Sequence, residues 1–271
     1  MRAFALVMAA GCAMNTFAGA PLAQPPSTPP APAVQPPPPA PPAALPVPDG
    51  PVVKKQEIDG IIIEDITIGD GYEVPPGGAV VAHYHGTLKD GTVFDSSFQR
   101  GEPVPFGLSG VIQGWQKGVP GMKVGGVRRL TVPAALAYGA QSPPGSGIPA
   151  NSDLIFVIQL LDAMKVEDLK VGDGEVATSS CIPVTTYSIL DADGKCIEKV
   201  EASKAYVWLP GEYQPLLLGI EGMKVGGKRK LVVPKEMNIT PPQAQSARPQ
   251  NIPVTIEVEL VAVRNMPPRR R

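Results

Sequence analysis

The chain repeats itself, and that repetition limits its fold more than any other feature. Gly69-Asp70-Gly71 recurs as Gly172-Asp173-Gly174, and Gly121-Met122-Lys123-Val124-Gly125-Gly126 recurs letter for letter at 222–227. Arg128-Arg129-Leu130-Thr131-Val132-Pro133 is matched by Arg229-Lys230-Leu231-Val232-Val233-Pro234. The offset closes only from 103 to 101 residues between the first match and the last, so chance matches are excluded in favour of two copies of one unit. The copies occupy 51–165 and 166–264, each a normal size for one domain.

Within a copy the apolar period is mostly two. Ala79 to Tyr84, Val127 to Val132 and Leu154 to Leu161 are rich in Val, Ile, Leu and aromatics and are bounded by Gly, Pro, Asn and Asp, the pattern of strands. Lys89-Asp90-Gly91 reads as a hairpin turn, because Gly accepts the positive φ such turns need. Only Ile112 to Gly118 looks helical, and it is brief. The fold class this predicts is α+β: two tandem domains, each an antiparallel sheet wrapped over one short helix.

Outside the copies, residues 1–20 read as a signal peptide, with Arg2 followed by an apolar run from Ala3 to Met14 that is too short to span a bilayer. Ala10-Gly11-Cys12 leaves a second reading open, a lipobox that would anchor the protein to a membrane through Cys12. Without that lipid, no membrane is expected. Residues 21–50 are a Pro/Ala-rich linker; proline fixes φ and removes the backbone donor, so from Pro21 to Pro48 a disordered polyproline-II spacer of up to ~85 Å is expected. Residues 265–271 form a basic tail. A net charge of −1 gives no clustered positive surface for nucleic acid. The localisation expected is exported and periplasmic, or else a membrane-anchored lipoprotein.

Cys181 and Cys196 invite a disulfide in an oxidising compartment. Against it, the turn Asp191-Ala192-Asp193-Gly194 pairs Cys196 with a residue near Ile189, which leaves Cys181 roughly 25 Å along the strand. His83 and His85, two apart on a strand, share a face, but no third ligand completes a metal site. No cofactor is expected.

The first copy also carries a series of motifs in order: His83-Tyr84-His85-Gly86-Thr87-Leu88, Gly91-Thr92-Val93-Phe94-Asp95-Ser96-Ser97, and Val111-Ile112-Gln113-Gly114-Trp115. Gly121-Met122, Ala137-Tyr138-Gly139 and Ile148-Pro149-Ala150-Asn151 follow. In order and spacing these resemble the FKBP-type peptidyl-prolyl cis–trans isomerases, from about Ile61 to Leu161.

The resemblance implies an apolar pocket that grips a proline ring, with proline-containing polypeptides as partners and macrolides such as tacrolimus as inhibitors. It places Trp115 under the ring, with Phe94 and Phe156 as walls, and assigns the Ile112 N–H and the Tyr138 hydroxyl to substrate carbonyls. Asp95 would be oriented by Tyr84 and Arg100. Phe106, Val111, Ile148, Val104 and Arg100 would contact substrate around this centre. Val104 stands where the family commonly has an aromatic on the pocket rim.

The second copy departs from the pattern. Tyr84 survives as Tyr187, but Phe94-Asp95 becomes Ile197-Glu198 and Val111-Ile112 becomes Glu212-Tyr213. Trp115 falls on Leu216, Tyr138 on Ile239 and Phe156 on Ile256. A working pocket is therefore expected in the first copy alone, as part of an isomerase for exported proteins; the alternative is a non-catalytic chaperone that holds unfolded chains.

Overall fold

The computed structural model describes residues 43–209, 211–239 and 249–265. The expected signal peptide, Cys12 lipobox, most of the spacer and nearly all of the basic tail lie outside the described residues. Residues 43–50 carry no regular secondary structure. They are nevertheless held to the first copy: the Leu45 N–H donates to Phe98 O at 2.8 Å, and Asp49 pairs with Arg129 at 3.0 Å.

The first copy folds as β1 (Lys54–Ile58), β2 (Ile61–Thr67), β3 (Ala79–Leu88), β4 (Val93–Ser96), α1 (Ser97–Arg100), β5 (Val104–Gly107), α2 (Gln113–Gly118), β6 (Val127–Val132) and β7 (Leu154–Ala163). The second has β8 (Lys165–Lys170), β9 (Cys181–Leu190), β10 (Cys196–Val200), β11 (Tyr206–Val207), α3 (Gln214–Ile220), β12 (Lys228–Val233) and β13 (Val254–Asn265). Strand order is β1-β2-β6-β7-β3-β4 with β5 on β3, and β8-β12-β13-β9-β10 with β11 on β9. Strip β1 from the first sheet and the two orders coincide strand for strand, all pairs being antiparallel. The repeat in the sequence is thus a repeat of topology.

The period-two pattern sets the core. Along β7, Leu154, Phe156, Ile158 and Leu160 point inward and are buried, and from β6 Leu130 and Val132 meet them. Gly91 closes the β3–β4 hairpin at φ 87° and Gly194 its counterpart at φ 78°, where both predicted turns fall. Cys196 pairs with Leu190 at one end of β9 while Cys181 begins the other, so both thiols are free.

Two elements differ from the sequence reading. The strand β1, Lys-Lys-Gln-Glu-Ile, is almost all polar and exposed, because it lies on the sheet edge with one neighbour and little apolar surface to bury. The one-turn helix α1 adds a second helix to the first copy; Ser96 Oγ accepts from the Gln99 N–H at its start and Gly101 ends it at φ 73°.

The copies are packed together. Ala79 and Val81 of β3 join Met164 in the apolar cluster of the second copy, and the Met164 N–H donates to Ala79 O at 2.9 Å. Gly107 faces Leu218 so closely that a Cβ there would sit 2.4 Å from a leucine methyl. Among the described residues no helix is long and apolar enough to cross a membrane.

Candidate functional site

A cavity of about 380 Å³ opens over the sheet of the first copy, lined by Tyr84, Phe94, Asp95, Phe106, Gly110, Val111, Ile112, Trp115, Tyr138 and Phe156. They come from several separate parts of the chain. Tyr84 projects from β3, Phe94 and Asp95 from β4, Phe106 from β5 and Phe156 from β7, while Ile112 caps the start of α2 and Trp115 lies within it.

Rings pack edge to face throughout. Trp115 meets Tyr84 at 5.8 Å, Phe106 at 5.2 Å and Phe156 at 5.4 Å between centroids, and Phe94 meets Phe156 at 5.6 Å. Such pairs contribute about 0.5–1.5 kcal/mol each beyond burial, which fixes the cavity walls in place. Gly86 is what lets Phe94 lie down: a Cβ there would come within 2.5 Å of the ring. Trp115 is 4% exposed, and its indole N–H is the one buried side-chain polar group without a hydrogen-bond partner among the described residues.

A polar cluster closes one side. The Tyr84 hydroxyl donates to Asp95 Oδ2, the Arg100 guanidinium bonds Asp95 Oδ1, and Arg100 Nη2 donates to the Tyr84 hydroxyl at 2.9 Å. Burial is the largest single influence on Asp95 and pushes its carboxyl up; the bonds from Tyr84 and Arg100 and the Arg100 charge outweigh it and hold it below the usual value. Tyr84 is pushed up, first by burial and then by the Asp95 bond. At neutral pH Asp95 is therefore ionised and Tyr84 protonated. Neither is poised to exchange a proton.

Tyr138 stands at the rim, 37% exposed. Its loop is pinned beneath: Asp153 Oδ1 accepts from the Ala134 N–H at 2.8 Å while Oδ2 takes Lys89 Nζ at 2.7 Å, and Asn151, at φ 57°, donates its N–H to Gly139 O. The helix under the cavity is held by Arg128. Its guanidinium grips Asp65 through Nε at 2.6 Å and Nη2 at 3.2 Å, and donates to Gly118 O and Pro120 O at the end of α2. Sequence reading missed both supports, and Gly110 as well. Arg128 has a visible signal, since it lies inside the repeated motif and Arg229 bonds Asp168, Gly219 O and Glu221 O in the same way.

Ten lining residues include all seven read as central, with Phe106 and Val111. Three others are placed elsewhere. Ile148 is buried in the core, Val104 packs partly buried against that core, and Arg100 stands behind Asp95. His83 is buried, stacked on Phe98 at 4.8 Å with Nδ1 on Ser97 Oγ, while His85 bonds Ser96.

The second copy packs other side chains at the matching positions. Its Tyr213, at the place of Ile112, is fully buried with Trp208 and Leu216, and its hydroxyl donates to Asn238 Oδ1 at 2.8 Å. Tyr187, Trp208, Tyr213, Leu216 and Ile256 form one packed cluster. Tyr187 still bonds the acidic residue across from it, Glu198, as Tyr84 bonds Asp95.

Comparison with known proteins decides the family. The family model for "FKBP-type peptidyl-prolyl cis-trans isomerase" matches residues 71–161. A "Probable FK506-binding protein" of Corynebacterium glutamicum is 49% identical over 107 residues, covering 39% of this chain and 88% of that protein. The chain belongs to the FKBP-type peptidyl-prolyl cis–trans isomerase family. Isomerisation of X-Pro bonds comes with that membership. The "FKBP-type peptidyl-prolyl cis-trans isomerase FkpA" of Escherichia coli is 40% identical over 129 residues, 46% of this chain and 47% of that one. The chain thus spans about half of that relative's length. The crystal structure of FkpA from Escherichia coli matches 40% of this isomerase and 51% of its own chain, at 41% identity and a TM-score of 0.38.

Proposed function

We propose that this protein is an exported prolyl isomerase in which the first copy is catalytic and the second has lost the site. The observation that carries the reading is the asymmetry between the copies: a cavity of about 380 Å³ lined by six aromatic residues in one, and a buried cluster of Tyr213, Leu216 and Ile256 at matching positions in the other.

The chemistry asked of such a site is modest. Rotation about an X-Pro bond is slow because amide resonance must be broken, against a barrier of about 18–20 kcal/mol. The twisted amide has lost much of its charge separation, so a dry, apolar cavity favours it over the planar form. In this reading Trp115 lies under the proline ring, and Phe94 and Phe156 flank it. The Ile112 N–H and Tyr138 hydroxyl hold the neighbouring carbonyls, with Phe106 and Val111 at the edge. Ionised Asp95, fixed by Tyr84 and Arg100, orients rather than transfers protons. Arg100 acts through Asp95, and Val104 and Ile148 support the lining from the core. Substrates are proline-containing polypeptides, and tacrolimus competes for the same cavity. Export rests on the apolar run after Arg2, with periplasmic delivery or anchoring through Cys12 as its two forms.

The test uses the whole chain with a proline tetrapeptide, with and without tacrolimus. Wild type should isomerise it and be blocked by the drug. Tyr138→Ser should weaken catalysis, and Ile239→Ser, at the matching place in the second copy, should leave it unchanged. Equal loss from both substitutions would refute the division of labour.

A further inference from the structure

A second, larger cavity of about 460 Å³ lies between the copies. One wall is the chain from Pro105 to Val111; the other is α3 with the start of β9. Phe106, Gly110 and Val111 line this groove and the aromatic cavity alike, so the two spaces are separated by nothing thicker than that segment. The groove is also fixed in shape, because Leu218 seats on Gly107 and Met164 ties the copies together below.

We infer that this groove binds the stretch of substrate chain next to the proline, an inference that rests on the isomerase reading of the first cavity. The second copy then supplies a specificity surface in place of a catalytic one. A peptide advances about 3.3 Å per residue, so a chain anchored by its proline reaches the groove within a few positions. The lining suits an extended apolar segment. Leu217 and Leu218 offer aliphatic surface, and Thr178, Ser179 and Gln214 offer hydrogen-bonding groups for a peptide backbone. Glu221 is the single charge, which disfavours acidic residues beside the proline. A concave space of this volume takes one chain, not the flat face of a folded partner.

Cys181 lines the groove and gives a direct readout. In a full-length Cys12→Ser/Cys196→Ser protein, the rate of Cys181 alkylation is measured alone, with a proline tetrapeptide, and with a permanently unfolded, proline-containing polypeptide. Isomerisation of the tetrapeptide and of the long chain is measured in parallel. The long chain should protect Cys181 and the tetrapeptide should not. Leu217→Asp should lower kcat/KM for the long chain about tenfold, the scale of one misfit in an apolar site, and leave the tetrapeptide unchanged. Tetrapeptide turnover without Cys181 protection overturns the groove and spares the isomerase reading; no tetrapeptide turnover overturns both. Equal loss on both substrates in Leu217→Asp also overturns the groove, as does alkylation that slows with protein concentration alone, which would assign the groove to a second copy.

Discussion

Trp115→Leu separates a binding floor from a packing residue, because the structure sets two contributions against each other. The substitution copies what the second copy has done at Leu216. It removes roughly 70 Å² of buried apolar surface, or about 2 kcal/mol at ~25 cal/mol per Å², with up to ~1 kcal/mol more for imperfect collapse. Against this, it removes a buried N–H that has no partner, and an unsatisfied donor of this kind costs about 1–3 kcal/mol. The three ring pairs to Tyr84, Phe106 and Phe156 are lost as well, about 1.5–4.5 kcal/mol together, so the net loss of stability is roughly 0.5–6.5 kcal/mol. Catalysis has no such compensation. With Trp115 as the proposed floor, the proline ring would lose the face it lies on, and about 2–3 kcal/mol of transition-state binding corresponds to roughly a 30- to 150-fold fall in kcat/KM. Urea unfolding followed by circular dichroism gives the first quantity, and tetrapeptide isomerisation the second. A kcat/KM within about twofold of wild type, in a variant that remains folded, would refute the reasoning.

Activity should be flat from about pH 6 to 9, since Asp95 is held below and Tyr84 above their ordinary ranges; a bell-shaped profile centred there would show a proton transfer. Burial lowers the His83 pKa from 6.5, so the folded state binds fewer protons than the unfolded one as pH falls through that value, and stability declines. His83→Phe, which keeps the stack on Phe98, should flatten that decline just below pH 6.5 in urea midpoints. Arg128→Ala strands Asp65, whose side chain is 9% exposed, and should cost about 3–5 kcal/mol. Arg229→Ala should cost clearly less in the same titration, because Asp168 is 49% exposed and water can take the place of the guanidinium.

What the sequence disclosed and what it hid follow from range. Hairpin turns are local, and Gly91 and Gly194 announce them through the φ they must adopt. Strands with one buried face write a period of two, so β6 and β7 were legible, while β1 has no such face and wrote nothing. The helix α1 is four residues long, too short for a period, although Ser96 and Gly101 mark its ends. The aromatic lining was visible only as a set of motifs in register, since Phe156 reaches the site by pairing with Gly86, two residues beyond Tyr84 on a strand about seventy positions earlier. The groove was hidden altogether. Its walls come from segments about a hundred residues apart whose meeting depends on how two finished domains seat against each other.

That seating has a consequence for descent. A duplicated domain usually becomes an independent module that can be shuffled, lost or passed on alone. Here Met164 sits where one copy ends and the next begins, buried with Ala79 and Val81 of the first copy in the cluster of the second. A recombination breakpoint at that position would open an apolar wound in both products. Whatever either copy does alone, the two are bound to be inherited together, because each leaves apolar side chains bare without the other.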